Sequence, residues 1–482
     1  MDISVATYPE IKLLLDGEWI AAGERKSQPV INPSTGEVLA QVPHASASDL
    51  DRALAAADRA FASWRATSAY DRRRILGRVA DLLRERATEI APLTVLEQGK
   101  PLAEAMADVA TAADMFEWFA EEGRRAYGRL IPPREAGRRM LVTLEPVGPV
   151  AAFAPWNVPA ITMSRKVGAS LAAGCPVIYK PSEETPATAM AVARILIEAG
   201  VPEGVLQIVL GDPDMISRHL MGSPIIRKVT FTGSTPVGRQ LARLSAENLQ
   251  RLTMELGGHA PVLVFDDVDI ETTVRGAVAT KFRNTGQICT APTRFLVQDA
   301  IAERFTEAFA EAARNLKVGD GFDPATQMGP CANPRRVEAM ERLVADAEAR
   351  GGRVVTGGKR IGNAGCYFEP TVLADLPDDA LAMTTEPFGP MAIVRRFSTL
   401  DEAIGVANSL RYGLAGYIHS TSAARIARAS EALNVGCIAV NNWQVSAPET
   451  PFGGVGDSGY GSEGGLEGLQ AYLAIKFIHE GA

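Results

Sequence analysis

The chain has 482 residues, of which 46% are hydrophobic and 22% charged, with a formal net charge of −8. That length exceeds what one hydrophobic core serves and suits two or three domains. The acidic balance, without any block of like charge, argues against nucleic acid and anionic membrane surfaces as partners.

Five cysteines, at 175, 289, 331, 366 and 437, lie far apart with no CxxC and no histidine at ligand spacing. Neither a disulfide framework nor a metal site is expected, and the odd count fits a reducing compartment. The N-terminal stretch MDISVATYPEIKLLLDGEWI has only a short apolar patch broken by Lys12, so it does not read as a signal peptide. No run of about 18 apolar residues occurs. A soluble, cytoplasmic protein is the expectation.

Residues 11 to 43 read as short strands and turns, with a hairpin signal at Asp16-Gly17 and a loop at Asn32-Pro33-Ser34-Thr35-Gly36. From Ser48 the spacing of Leu50, Ala53, Leu54, Ala57 and Phe61 predicts a helix. A second helical run begins at Asp71, with Ile75, Val79, Leu82 and Leu83 on one face, and Gly99-Lys100-Pro101 interrupts it. A further helix is predicted over 102–122. Residues 138–146, RRMLVTLEP, look like an extended strand outside the main rhythm, with an edge that a partner subunit could cover.

From residue 148 strands and helices alternate. Strands are predicted at 149–155, 176–180, 205–210 and 228–232, with helices after Pro159, over 186–199 and over 213–221. Short apolar strands separated by helices imply parallel βαβ units, which bind ligands at the carboxyl ends of their strands. Trp156-Asn157, Lys180 to Glu183, Gly211 and Gly233-Ser234 fall at those ends. FTGSTPVG (231–238) is either a tight turn or a backbone cradle for a pyrophosphate at a helix N-terminus. Beyond residue 292 a second α/β unit is predicted. Its strands lie at 293–298, 352–358, 365–376 and 391–397, and its helices over 300–315 and 334–350. EPFGP (386–390) reads as a proline-rich turn, and the segment from 437 onward as a long loop holding Trp443 and Phe452.

One stretch, KFRNTGQICTAP (281–292), holds a cysteine between Gly286 and Pro292. A free cysteine is usually a small buried hydrophobe. About thirty residues upstream, however, MELGGHAP (254–261) sets Glu255 on an apolar run before a double glycine. A thiol and a carboxylate, each beside a glycine-rich kink, suit a nucleophile and a general base.

Together these segments resemble the aldehyde dehydrogenase superfamily over nearly the whole chain. The matches are PWN (155–157), KPSEETP (180–186), FTGSTPVG, MELGG (254–258), GQICTAP (286–292), EPFGP and PFGG (451–454). The resemblance implies an α/β fold with a Rossmann-type cofactor domain (1–123 and 147–257) and an α/β catalytic domain (258–467). Small β segments for oligomerisation would occupy 124–146 and 468–482, giving a homodimer or homotetramer.

The resemblance also implies roles. Cys289 would attack an aldehyde to give a thiohemiacetal. Asn157 and the Cys289 backbone N–H would form the oxyanion hole. Hydride would pass to NAD (NADP being possible), and Glu255 would activate the water that releases the acid. Lys180 and Glu183 would bind the adenosine ribose, Gly233 and Ser234 the pyrophosphate, and Glu386 and Phe388 the nicotinamide ribose. Pro155, Trp156, Ser182, Gly211, Phe231 and Leu256 complete the implied cofactor site, while Lys166 and Glu463 would support a proton path.

Within the superfamily the resemblance is nearest to NAD(P)-dependent succinate-semialdehyde dehydrogenases. Two arginines and a serine of that group, which receive the distal carboxylate of the substrate, match Arg165, Arg283 and Ser446. Each arginine alone also reads as ordinary surface charge. Two positions depart from the superfamily: Gly456 stands where a lysine is frequent, and Ser462 where an arginine is frequent. Trp443, Gln444 and Pro448 make the distal loop unusual, which leaves a longer or aromatic aldehyde open.

Three other readings compete. One is a cysteine hydrolase that uses His259 as base, and another is a non-catalytic binding protein on the same fold. The third, a CoA-acylating enzyme, sits poorly with Glu255.

Overall fold

Seven of the eight strands in the larger sheet are drawn from the first 255 residues, and their sequences explain how they are buried. The computed structural model describes residues 8–481, so the reading of the first seven residues as part of no signal peptide lies outside the described residues. Asp16 and Gly17 both adopt positive φ, 54° and 82°, the conformation of a tight two-residue hairpin turn. They join Leu13–Leu15 to Glu18–Ile20, with Leu15 opposite Glu18. This hairpin starts an eight-stranded sheet that continues through Leu206–Ile208, Val177–Lys180, Val150–Phe153, Lys228–Thr232, Arg251–Glu255 and Gly459–Tyr460.

The five strands from 206–208 to 251–255 run parallel. Helices cover both faces. Val150, Ala152, Val177 and Tyr179 pack into one core. The residues between or beside them, Ala151, Phe153 and Ile178, pack into another with Val229 and Met254. A strand buried on both faces needs a continuous apolar run, and VAAF and VIYK provide one. Strand order reverses between Val150–Phe153 and Lys228–Thr232. A crevice at the carboxyl ends of those two strands is where open α/β sheets bind ligands.

A second sheet of seven strands runs in the order Arg353–Thr356, Thr371–Ala374, Met391–Phe397, Pro292–Gln298, Ala260–Val264, Ala415–His419 and Cys437–Val440. Only Arg353–Thr356 is antiparallel to its neighbour. A third, antiparallel sheet places Arg139–Pro146 between Arg129–Ile131 and Leu473–Glu480.

Several elements differ from the sequence reading. The second helical run is two helices, Ala69–Glu85 and Ala87–Gln98, broken where Arg86 leaves helical geometry at φ −109° and ψ 18°. The strand expected over 365–376 shrinks to Thr371–Ala374. Ahead of it Gly365 has positive φ, Pro370 has no N–H to give a ladder, and Cys366 bonds instead to Pro33. The strand at 139–146 is paired along its whole length with Leu473–Glu480 but on its other side only at residues 140–142, so residues 143–146 keep an open edge there. Further free edges belong to the 473–480 and 129–131 strands. Among the described residues no helix is long and apolar enough to cross a membrane.

Candidate active site

Helix Ile270–Phe282 delivers the chain into a contorted turn, where Asn284, Thr285 and Gly286 have φ of 51°, 56° and 69°. Two consecutive non-glycine residues in the left-handed region are unfavourable by about 1 kcal/mol or more each and persist only where the surroundings fix them. Here they do. Asn284 N–H donates to Glu104 (2.8 Å), Thr285 Oγ1 to the Gly329 carbonyl (3.0 Å), and Ala332 N–H to Gln287 Oε1 (2.9 Å). Gly286 lies so near Gly389 that a Cβ would come within 2.1 Å of its carbonyl oxygen. This braced turn presents Cys289, half-buried, at its exit.

The MELGG double glycine meets the same turn from the other side. A Cβ on Gly258 would lie 2.5 Å from the Cys289 carbonyl oxygen, and one on Gly257 would lie 2.5 Å from Glu386 Oε2. Glu386 Oε1 accepts a bond from Gly258 N–H at 3.1 Å. Strand Arg251–Glu255 thereby ends with Glu255 buried, 1% exposed, and neither carboxylate oxygen has a hydrogen-bond partner among the described residues. Burial raises its pKa well above the ordinary 4.5, the negative Glu463 adds to that, and Lys166 and Arg165 oppose it. Burial likewise pushes the Cys289 thiol up to about 12, with Arg165 as the main opposing charge. Both protons are therefore held tightly, and a thiolate there depends on positive charge nearby.

That charge comes from a helix with a π-turn. Pro159–Met163 runs through a π-helical Ser164–Gly168 into Ala169–Ala173, and such bulges are frequent at functional sites. Adjacent residues there face different partners. Arg165 donates to Ser446 Oγ (3.4 Å) and lies over the Phe452 ring, while its Nε has no partner among the described residues. Lys166 pairs with Glu463 and donates to Thr230 (3.1 Å), which donates in turn to Glu463 (2.9 Å). Asn157 is buried beside the turn. Its Nδ2 donates to the Gln287 carbonyl (3.0 Å), and its Oδ1 is unpartnered among the described residues.

The strand ends form a second cluster. Lys180 Nζ donates to Glu183 Oε1 at 2.5 Å, and Gly211 N–H donates to the same oxygen at 3.0 Å. Ser182 Oγ accepts from Glu184 N–H. Helix Thr235–Ser245 begins behind Ser234, which makes no side-chain cap. The first-turn N–H groups are thus left for an outside anion. Gly233 sits over the Phe231 ring, where a Cβ would lie 2.4 Å away, and Gly238 sits over Leu256 at 2.5 Å. Pro155 and Trp156 are half-buried, and Trp156 meets Phe388 edge-on at 5.5 Å. An uncapped helix start, a glycine cradle with no room for a Cβ and a strand-end carboxylate with one oxygen still unused are features a dinucleotide site needs.

Not every expected residue joins the site. Arg283 is exposed and donates to Asp108 (3.0 Å), and it lines a surface groove of about 840 Å³ with Glu104, Phe282 and Leu316. The structure does not bring it to the Arg165–Ser446 pair. Trp443 is half-buried, stacks on His419 at 4.2 Å and packs near Tyr417 against the core of the seven-stranded sheet. His259 has both ring nitrogens engaged, by Thr293 (2.7 Å) and the Ala382 carbonyl (3.0 Å), so it offers no base to Cys289.

Sequence reasoning missed three cations, two buried and one half-buried. Lys281 is fully buried with an Nζ unpartnered among the described residues, and burial lowers it to about 7. Arg336 donates to the Pro387 carbonyl at 2.5 Å and lies 5.9 Å from the Phe388 ring centre. Lys100 donates to Asp108 (2.5 Å) and to the Asn157 carbonyl (2.9 Å). No signal in the sequence marks Lys100 as turned inward, since a lysine in a Gly-Lys-Pro turn ordinarily reads as exposed.

Comparison with known proteins gives a consistent answer. The sequence profile of the Aldehyde dehydrogenase family matches residues 19–478. The chain is 50% identical over 477 residues to the 4-(hydroxymethyl)benzenesulfonate dehydrogenase TsaD1 of Comamonas testosteroni, covering 99% of each chain. It is 42% identical to the succinate-semialdehyde dehydrogenase [NADP(+)] GabD of Escherichia coli, covering 96% of each. The crystal structure of succinate-semialdehyde dehydrogenase from Burkholderia pseudomallei superposes with a TM-score of 0.97 at 42% identity, covering 100% of each chain.

Proposed function

The chain belongs to the aldehyde dehydrogenase family and is an NAD(P)-dependent oxidoreductase; on that premise we propose that it oxidises an aldehyde bearing a distal anionic oxyacid group, with succinate semialdehyde as the first candidate. The observation that carries this reading is Arg165. Its guanidinium is held over Phe452 and bonded to Ser446, its charge acts on both Cys289 and Glu255, and no carboxylate among the described residues forms an ion pair with it. A planar guanidinium with a hydroxyl beside it suits an oxyacid through charge-assisted bonds. Arg283, already matched by Asp108, is left out of this receptor.

The roles follow from the positions. Cys289 adds to the carbonyl carbon: the C–S bond forms as the C=O π bond opens onto oxygen and the thiol proton leaves to solvent, giving a thiohemiacetal oxyanion. The Asn157 amide and the Cys289 N–H meet the oxyanion; one such donor is typically worth ~3 kcal/mol. A dinucleotide held there would supply the acceptor for the hydride that leaves the thiohemiacetal carbon. Cys289 is left as a thioester, and Glu255 takes a proton from water so that the acid leaves and the thiol returns. Lys166, Thr230 and Glu463 lie behind Glu255 and carry its proton outward. Lys180, Glu183 and Gly211 hold the adenosine ribose, and Gly233, Ser234 and the first turn behind them hold the pyrophosphate. Glu386 and Phe388 hold the nicotinamide ribose.

A second reading is an aromatic aldehyde bearing a sulfonate. It is favoured by the 50% identity to a 4-(hydroxymethyl)benzenesulfonate dehydrogenase, and an arginine with a serine receives sulfonate and carboxylate alike. NADH formation from succinate semialdehyde, 4-formylbenzenesulfonate and butanal separates the cases. A preference for butanal over both anions would reject the distal-anion reading.

The assembly is proposed to be a homodimer or a dimer of dimers. The three-stranded sheet leaves Leu130, Ile475 and Phe477 68%, 72% and 52% exposed, and an apolar sheet edge of that kind calls for a covering chain.

A further inference from the structure

Lys100 is buried on the turn between helices Ala87–Gln98 and Leu102–Gly123. A buried ammonium is costly unless it is paired and fully hydrogen-bonded. This one has two partners, Asp108 Oδ2 at 2.5 Å and the main-chain carbonyl of Asn157 at 2.9 Å. The same carbonyl accepts a second bond, from Asn284 Nδ2 at 3.0 Å. Asn284 Nδ2 also reaches the Gln287 carbonyl (3.1 Å), which is the acceptor of Asn157 Nδ2. Asn157 is therefore fixed at both its main chain and its side chain to the turn that presents Cys289, and Lys100 attaches a charge to that ring.

Asp108 extends the arrangement. Its Oδ1 accepts from Arg283 Nη2 at 3.0 Å, at the head of the same turn. Glu104, four residues earlier and on the same helix face, accepts from Asn284 N–H. One face of helix Leu102–Gly123 thus grips the Asn157 segment through Lys100 and the cysteine turn through Arg283 and Asn284.

We propose that Lys100 and Asp108 are positioning residues for the reaction, holding the Asn157 amide and the Cys289 turn in one geometry, with Arg283 as their outer counter-charge. The proposal rests on the reading of Asn157 as the oxyanion donor. A donor acts on developing charge only when it is placed before the charge appears, and a shift of about 1 Å can cost on the order of a hundredfold in rate. Lys100 touches neither substrate nor cofactor, so its effect must pass through Asn157.

The test is a double-mutant cycle on the NADH burst of the full enzyme at saturating cofactor, with succinate semialdehyde and butanal as substrates. Lys100→Met should slow the burst roughly 10- to 100-fold while the dissociation constant for NAD, read by fluorescence titration, stays within about threefold. Asp108→Asn, nearly isosteric, should slow it in the same direction, and it carries the test if Lys100→Met fails to fold. In an Asn157→Ala background either change should cost less than about threefold, because residues acting through one group are not additive. Equal factors in both backgrounds, or an unchanged burst in Asp108→Asn, would overturn the proposal. An Asn157→Ala enzyme with a near wild-type burst would instead remove the oxyanion reading itself. Arg283→Gln should slow both substrates alike, and a loss confined to succinate semialdehyde would return Arg283 to the substrate receptor.

Discussion

The Arg165 guanidinium lies 4.1 Å from the centre of the Phe452 ring. A cation held over an aromatic face keeps the edges of its guanidinium free to donate, so Phe452 orients the arginine without using up its N–H groups. Arg165→Ala should raise KM for succinate semialdehyde by roughly thirtyfold, about 2 kcal/mol for a charged hydrogen bond. KM for butanal should change far less. Phe452→Leu should show a weaker form of the same selective loss. Equal effects on both aldehydes in steady-state assays would contradict the assignment.

Glu255 has opposite consequences for rate and for stability. Glu255→Gln should leave one burst of NADH per active site and then stall, because hydride transfer precedes hydrolysis. Loss of the burst as well would mean that Glu255 also has to activate the thiol. Wild-type turnover should rise with pH beyond the ordinary carboxylate range, since the base works only after losing a proton that burial holds.

Stability should run the other way. Burial raises the folded pKa above 4.5, so above 4.5 the folded protein keeps a proton that the unfolded chain has lost. The contribution of this group is complete below 4.5 and is lost as pH rises through the folded pKa. Glu255→Gln should therefore raise Tm relative to wild type at pH 8 and by less at pH 5. A Tm difference that is flat between the two would show that the carboxyl is not desolvated.

Glu183 accepts from both Lys180 and Gly211 at one oxygen, which leaves its other oxygen for a ribose hydroxyl. A 2′-phosphate there would meet a like charge. The wild-type enzyme should prefer NAD, and Glu183→Ser should narrow the ratio of kcat/KM for NAD over NADP. An unchanged ratio would place the adenosine ribose elsewhere.

The exposed Ile475 and Phe477 should disappear into an interface. Phe477→Glu, or the double change with Ile475→Glu, should shift the species seen by light scattering toward monomer. A wild-type protein that is already monomeric at micromolar concentration would refute the assembly.

Much of this architecture is legible in the order of the amino acids. The parallel strands stand out as short apolar runs, and the glycines at 233, 257, 258 and 286 mark places where a Cβ would meet a neighbour within 2.5 Å. Effects between distant segments resist that kind of reading. No periodicity reveals that Lys100 reaches across to Asn157, or that Asp108 pairs with Arg283. Trp443 reads as a feature of the substrate loop because it lies in that loop's sequence. In the fold it fills the gap left by Gly276, where a Cβ would come within 2.0 Å of its Nε1. The helix Ile270–Phe282 is hidden by its threonines and valines, which are weak helix formers, and is held by packing and by its Asp269 cap.

The edge strand Gly459–Tyr460 pairs with Met254 and Glu255, across about two hundred residues of chain. During synthesis the sheet that carries Glu255 therefore emerges with its last edge open, and only the arrival of residues near 460 closes it. Pairing of Leu473–Glu480 with Arg139–Pro146 waits longer still. Contacts so distant in sequence form slowly and leave unpaired edges exposed to other chains in the interval. Nascent chains stalled before residue 459 should accordingly be rich in secondary structure, prone to associate and unable to turn over aldehyde, because the wall around Glu255 is the last part of the sheet to be laid.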